Sequence, residues 1–187
     1  MLLRESSMPP QDYWETLFDA DAILARFELR GDVAELGCGY GTFTLPLARR
    51  TLGTVFAFDI DAKMAAIVQD RAASARLDNI RNAVRDVMAA GFGVPDHSMD
   101  GVLLFNILHG ESPLHMLAEA KRVLKPDGTL AVIHWRSDIE TPRGPNLAIR
   151  PPPERIIGWA AQAGGLVLRK PSFLLPPWHF GLEFVRR

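Results

Sequence analysis

The sequence predicts an α/β domain, a mostly parallel sheet with helices packed on both faces. Three observations predict it. Five short apolar runs between residues 33 and 133 alternate with segments of helical periodicity, and such alternation builds parallel strands joined by helical crossovers. The first run, Val33–Leu36, leads through a glycine-rich turn directly into a helix. The last two runs, Leu166–Leu168 and Leu182–Val185, lie too close for a helical crossover, so they are expected to pair antiparallel across the turn at Pro176-Pro177.

Each element follows from local signals. Pro9-Pro10 closes a leader that has no long apolar core after a basic start, so it does not read as a secretion signal. From Asp12 the pattern is helical: Trp14, Leu17 and Phe18 share one face, then Ile23, Leu24 and Phe27 share another, until Gly31-Asp32 stops it. Val33–Leu36 reads as a buried strand and Thr42–Arg50 as the helix after it. Thr54–Phe58 is a second strand, and Asp61 caps a helix to about Ala75 with Met64, Ile67 and Val68 on one face. Ile80–Arg85 is a third, weaker strand. Residues 87–99, with Gly91, Gly93 and Pro95, read mostly as loop. Gly101–Phe105 is a fourth strand. Ser112-Pro113 opens a helix that ends before the turn signal Lys125-Pro-Asp-Gly128, and Thr129–Ile133 is a fifth strand. Residues 136–153 carry prolines and arginines without periodicity, as a functional loop does. Glu154–Ala163 is a helix closed by Gly164-Gly165.

Composition bounds the function. A chain of 187 residues with 48% hydrophobic and 23% charged residues suits one globular domain with a real core. Lys and Arg total 21 against 22 Asp and Glu, a formal net charge of -1, which argues against a dedicated nucleic-acid binder. Cys38 is the single cysteine, which excludes an internal disulfide or a site of several thiolates. The five histidines lack close metal-ligand spacing, so no metal site is expected. The longest apolar stretch, Val102–Leu108, is broken by Asn106 and falls far short of the roughly 20 residues that cross a bilayer. The expectation is a cytoplasmic protein without a membrane span.

The sharpest motif is Val33-Ala-Glu-Leu-Gly-Cys-Gly-Tyr-Gly41, followed by Thr42-Phe43. Glycines there permit a tight turn and let a ligand approach the backbone. Dinucleotides and S-adenosylmethionine are both bound by such turns. The dinucleotide pattern G-x-G-x-x-G asks for a third glycine where Thr42 stands. Charge points the same way. A pyrophosphate at the helix start would face the carboxylate of Glu35, whereas a sulfonium cation with an ammonium group is stabilised by it.

These residues resemble the class I S-adenosylmethionine-dependent methyltransferases, clearly over about residues 12–135 and more loosely in the tail. Within that class the chain is similar to the small-molecule branch that includes the ubiquinone and menaquinone C-methyltransferases. Arg122-Val-Leu-Lys-Pro-Asp-Gly128 and Asp100-Gly-Val-Leu-Leu-Phe-Asn106, with Leu108-His109, carry the likeness beyond the glycine turn. The resemblance implies a Rossmann-like three-layer sandwich with a seven-stranded, mostly parallel sheet and an antiparallel last strand. It implies one methyltransferase domain over 1–187: an N-terminal helical lid (1–30), a cofactor-binding core (31–135), and a substrate rim with the C-terminal hairpin (136–187).

The resemblance also implies a cofactor site. Glu35, Gly37, Cys38, Gly39, Tyr40 and Gly41 match the segment around the methionine part. Asp59, at the end of Val55-Phe-Ala-Phe-Asp59, matches the acid that binds the ribose hydroxyls, since a carboxylate can accept from two vicinal hydroxyls. Asp61 is its rival, although its position suits a helix cap. Asp86 matches the residue near the adenine amino group, unless it is a solvated loop acid. Ile60 and Val87 would sandwich the adenine, and Asn106 and Ile107 would sit beside the sulfonium. Tyr13-Trp14 is either part of a lid over the cofactor, where aromatic faces attract cations, or a core aromatic pair.

For the chemistry, the candidates stand after strands four and five, where ligands bind in such sheets. His109 and His134 are candidate bases, unless His109 is a surface histidine and His134 a bonded core residue. Trp14, His109, Trp135 and Arg136 are candidate substrate contacts, with Arg136 able to hold an anionic group bidentately. Arg143 and Arg150 lie in the expected rim loop and hint at an anionic or polar substrate. An Asn/Asp-Pro-Pro-aromatic run after strand four would mark an amino-directed enzyme; Asn106-Ile-Leu-His109 stands there instead. The expected activity is methyl transfer to a small-molecule acceptor. The alternative is a non-catalytic sensor or subunit binding S-adenosylmethionine or S-adenosylhomocysteine. A nicotinamide-dependent oxidoreductase is disfavoured by Glu35 and Thr42.

Overall fold

Strands with period-two burial build the centre of the molecule. In β4 (Met99–Phe105), Val102 and Leu104 join one apolar cluster while Leu103 and Phe105 join the other; in β5 (Leu124–Trp135), Leu130 and Val132 part from Ala131 and Ile133 in the same way. Alternate side chains point to opposite faces of a strand, so both faces of the sheet are core. Each fully buried side chain of this size stabilises the fold by roughly 1.5–3 kcal/mol. The computed structural model describes residues 8–187; most of the expected leader, residues 1–7, lies outside the described residues.

Eight strands form one sheet. β3 (Ile80–Val84), β2 (Val55–Asp59), β1 (Val33–Leu36), β4 and β5 lie side by side and parallel. Beyond β5 comes β8 (His179–Arg186), antiparallel to it, from Thr129 opposite Val185 to Trp135 opposite His179. The far edge of β8 carries two short strands end to end: β6 (Leu166–Leu168) and β7 (Phe173–Leu175), both antiparallel to β8. One face is covered by α2 (Ala20–Leu24), α3 (Thr44–Arg50) and α4 (Ala62–Ser74), whose Leu24, Leu47 and Val68 are buried. The other face is covered by α6 (Pro113–Val123) and α7 (Pro153–Ala163) through Met116, Leu117, Ala120, Ile156 and Ala160. This is the expected three-layer α/β sandwich, mostly parallel with a reversed strand near its edge.

The differences are local. The single N-terminal helix expected from Asp12 is two short ones, α1 (Gln11–Glu15) and α2, because Asp19 turns the chain and caps α2 through Ala22 N. Residues expected as loop hold α5 (Val87–Ala90), capped by Asp86, which accepts from Ala89 N. The turn signal at Lys125–Gly128 lies inside β5, where Asp127 takes φ +61° and the register with β4 shifts. Ser112 occupies the expected cap position of α6 without a side-chain bond to the helix. β7 is an additional strand, joined to β8 through the cis Pro176-Pro177 bond. Within the expected loop 136–153, Leu147–Ile149 is a 3-10 turn.

Candidate functional site

A cleft of about 730 Å³ opens at the carboxyl ends of β1, β2 and β4. The strand order reverses between β1 and β4, the point at which open α/β sheets bind ligands. Of the expected site residues, the cleft is lined by Trp14, Glu35, Gly37, Cys38, Gly39, Asp59, Ile60, Asp86, Val87, Asn106, Ile107, His109 and Trp135.

The glycine turn forms its floor. Gly37, Gly39 and Gly41 all have positive φ, at +76°, +51° and +77°, which L-residues with side chains rarely adopt. Their surroundings separate their roles. A Cβ on Gly37 would stand 3.5 Å from the Ile107 side chain and one on Gly39 3.1 Å from Met8, at the cleft wall, whereas one on Gly41 would fall 2.5 Å from Leu45. Gly41 is therefore a packing glycine, outside the lining. Tyr40 is also outside it. Its hydroxyl donates to Pro9 O at 2.9 Å and draws Met8 and Pro9 over the turn.

Two acids and two polar side chains lie along the turn and the strand ends. Asp59 accepts from Gly39 N at 2.8 Å through one oxygen and from Asp61 N at 3.0 Å through the other. Asp61 caps α4 through Lys63 N, the role expected for it, and does not line the cleft. Glu35 is buried, and Thr44 Oγ1 donates to it at 2.5 Å. Burial pushes its carboxyl up to about 7, the Thr44 hydrogen bond opposes this, and the neighbouring Asp59 charge adds to the rise. The Cys38 thiol is pushed up by burial and by the Glu35 and Asp59 charges, so it is an inert small side chain. Among the described residues, two buried cleft atoms have no hydrogen-bond partner: Thr42 Oγ1 and Asn106 Oδ1. Asn106 also holds φ +58° at the end of β4, and such strain is characteristic of ligand sites.

Aromatic rings and two histidines complete the surroundings. Trp14 packs on Phe18 with ring centres 4.9 Å apart, and Phe18 on Phe43 at 5.3 Å. Trp135 stacks on His179 at 4.1 Å. Glu15 pairs with Arg71 at 2.6 Å, which ties α1 to α4. His109 Nδ1 lies 3.3 Å from His134 Nε2, and His134 Nδ1 lies 3.1 Å from Trp135 O. His109 borders the cleft; His134 is fully buried behind it. Burial pushes the His134 imidazole down to about 3 and lowers that of His109, with the Arg150 charge adding to both.

The remaining expected residues lie elsewhere. Tyr13 is exposed on α1 and does not line the cleft. Arg136 grips Asp138 bidentately, at 3.0 and 2.7 Å, and is absent from the lining. Arg150 is a clasp rather than a rim charge: its buried guanidinium donates to the carbonyls of Pro145, Arg136, Ile139 and Arg143. Arg143, Gly144 and Pro145 do reach the cleft, as do Glu111, Ser112 and His115 at the start of α6. Thr42, Phe43, Phe105 and Met88 are lining residues that the sequence analysis did not assign. Thr42 carried a signal, a hydroxyl directly after the last turn glycine. Among the described residues, no cluster of three or more His, Cys, Asp or Glu is placed to hold a metal ion, and no helix is long and apolar enough to cross a membrane.

Residues 33–128 match a family described as a methyltransferase domain. No curated protein matches the sequence. Among solved structures, a SAM-dependent methyltransferase from Aquifex aeolicus is 24% identical over 95% of this chain and 94% of its own, with a TM-score of 0.82. A protein from Sulfolobus solfataricus assigned to the type 11 methyltransferases is 26% identical over 96% of this chain and 92% of its own, with a TM-score of 0.67. The [4+2]-cyclase SpnF shares the fold at 21% identity and a TM-score of 0.70, over 91% of this chain and 64% of its own.

Proposed function

The chain belongs to the methyltransferase-domain family, and from that premise we propose that it transfers the methyl group of S-adenosylmethionine to a small acceptor that loses a proton in the reaction. The convergence on one cleft of two acids, a histidine and two buried polar atoms without a partner among the described residues carries this reading.

The residues fit the cofactor. The buried Thr42 Oγ1 and Asn106 Oδ1 have hydrogen-bonding capacity that a ligand can use. Glu35 supplies a negative charge beside the turn, suited to the cationic methionine part. Asp59 is suited to the ribose hydroxyls, and Ile60 and Val87 give apolar faces for a ring. S-adenosylmethionine supplies an electrophilic methyl group on a positively charged sulfur. The protein's own work is alignment, exclusion of water and removal of a proton. Trp14, Phe43 and Trp135 supply apolar, aromatic walls against water. His109, kept neutral by burial, is the group placed to act as general base. The likeness of the sequence to the quinone C-methyltransferase branch accords with an enolic or phenolic acceptor.

Titration calorimetry with S-adenosylmethionine, S-adenosylhomocysteine and NAD in parallel tests the cofactor. Micromolar binding of the first two and none of NAD is expected; binding of NAD alone overturns the assignment. Release of S-adenosylhomocysteine over a panel of phenols, enols and amines then tests catalysis. Cofactor binding without turnover on any of them would favour a non-catalytic binding protein. With an accepted substrate, His109→Ala is expected to lower turnover about 10²- to 10⁴-fold at unchanged cofactor affinity.

A further inference from the structure

We propose that His134 is a positioning residue: it holds the proton of His109 on Nδ1 and thereby leaves Nε2 as the lone pair that takes the acceptor's proton. The inference rests on the reading of His109 as the base, but its geometry stands in the free protein.

The assignment follows a chain of donors and acceptors that admits one solution. His134 Nδ1 lies 3.1 Å from Trp135 O. A carbonyl can only accept, so this nitrogen carries the hydrogen. His134 is neutral, because burial pushes it down to about 3, so its Nε2 carries none. The contact of 3.3 Å between His134 Nε2 and His109 Nδ1 is then a hydrogen bond only if His109 Nδ1 donates. His109 is neutral too, its proton affinity lowered by burial. Its single ring hydrogen therefore sits on Nδ1 and its Nε2 is bare. No hydrogen bond among the described residues occupies that Nε2, and the side chain borders the cleft. Imidazole in water prefers the opposite tautomer, with hydrogen on Nε2, which would present a donor to the acceptor's O–H or N–H instead of a base.

The backbone makes the device rigid. Trp135 O and His134 belong to the same strand, β5, and β8 pairs with it there, His134 opposite Phe180 and Trp135 opposite His179. The charged and titratable groups around the pair are Arg150, His179 and, on the cleft side, Glu111, His115 and Arg143. Arg150 disfavours positive charge on the pair. In the transfer step the acceptor's O–H or N–H proton passes to His109 Nε2 as its electron pair forms the bond to the methyl carbon, and the carbon–sulfur pair withdraws onto sulfur. The imidazolium so formed keeps its Nδ1 hydrogen on His134.

Long-range ¹H–¹⁵N correlation spectra of the histidine rings in the free protein near neutral pH test this. The expected result is a protonated Nδ1 and a bare Nε2 for both His109 and His134. A wild-type His109 with its hydrogen on Nε2 overturns the proposal, whatever the variants do. His134→Leu is expected to release His109 to the tautomer with hydrogen on Nε2, and His134→Gln, whose carbonyl can accept, to restore the Nδ1 form. An unchanged His109 tautomer in a His134→Leu protein that still binds S-adenosylmethionine within twofold of wild type also overturns it. Absence of S-adenosylmethionine binding in the wild type would instead count against the proposed function and leave the tautomer assignment standing.

Discussion

Glu35 couples a proton to ligand binding. With its carboxyl pushed up to about 7 by burial, it is largely neutral at pH 6 and largely charged at pH 8. A cation seated beside it favours the charged form. Binding of S-adenosylmethionine is therefore expected to release close to one proton per site below pH 7, and affinity is expected to rise by up to tenfold per pH unit there and level off above it. Calorimetry in buffers of different ionisation enthalpy measures the proton directly. Glu35→Gln should abolish the pH dependence; persistence of it in that variant would assign the proton to another group. Asp59 anchors the turn, because its two oxygens already accept from Gly39 N and Asp61 N. Hydrogen bonds to a charged group are each worth about 1.5–3 kcal/mol. Asp59→Asn is thus expected to weaken cofactor binding tenfold or more and also to lower Tm by a few degrees, since the turn loses part of its anchor. Unaltered affinity would show that the ribose contact is elsewhere.

Elements were legible in the sequence where burial was two-sided and apolar. β1, β2, β4 and β5 stood out because almost every position is apolar and glycines punctuate their ends. β8 was read only over Leu182–Val185 because His179 and Gly181 break the apolar run before it, yet His179 is buried, as is Glu183 within the run. Glu183 accepts from Glu28 N at 2.9 Å and pairs with Lys170 at 2.7 Å, so a long-range clasp satisfies a charge that looks like a surface residue in sequence. β7 has three residues, too few to show a period, and α5 has four. The lining at the carboxyl ends of β1, β2 and β4 was legible because its residues follow strands in a fixed order. The wall supplied by Met8 and Pro9 was not, since it depends on where a loop lands, and of the two arginines assigned to the rim loop only Arg143 lines the cleft. Arg150 illustrates this: it was assigned to a rim, and it instead gathers the carbonyls of its own loop. Arg150→Ala is expected to raise the acceptor KM and to speed amide hydrogen exchange over residues 136–150, leaving cofactor affinity within twofold. Slow exchange retained there would show that the loop is held by other contacts.

The whole molecule should be acid-sensitive, with a sign fixed by three buried groups. His134 and His179 are pushed from 6.5 down to about 3, so the unfolded chain binds more protons and stability falls as pH drops from 6.5 towards 3. Glu35, raised from 4.5 to about 7, opposes this between pH 7 and 4.5. The two histidines outweigh the one acid, so a net loss begins near pH 6.5 and steepens below 4.5, where the acid no longer contributes. Denaturant unfolding across that range measures it, and His179→Phe should flatten the slope; an unchanged slope would locate the sensitivity elsewhere. The order of the sheet has a further consequence. β8 fills the place between β5 and β6, yet it is made after both of them. During translation, every strand as far as β7 leaves the ribosome while the adjoining edge of β5 still lacks its neighbour. An unpaired edge of that kind, flanked by Leu130, Val132 and Ile133, is a template for pairing with other chains. Until residue 179 emerges, that gap stays open to the wrong strand.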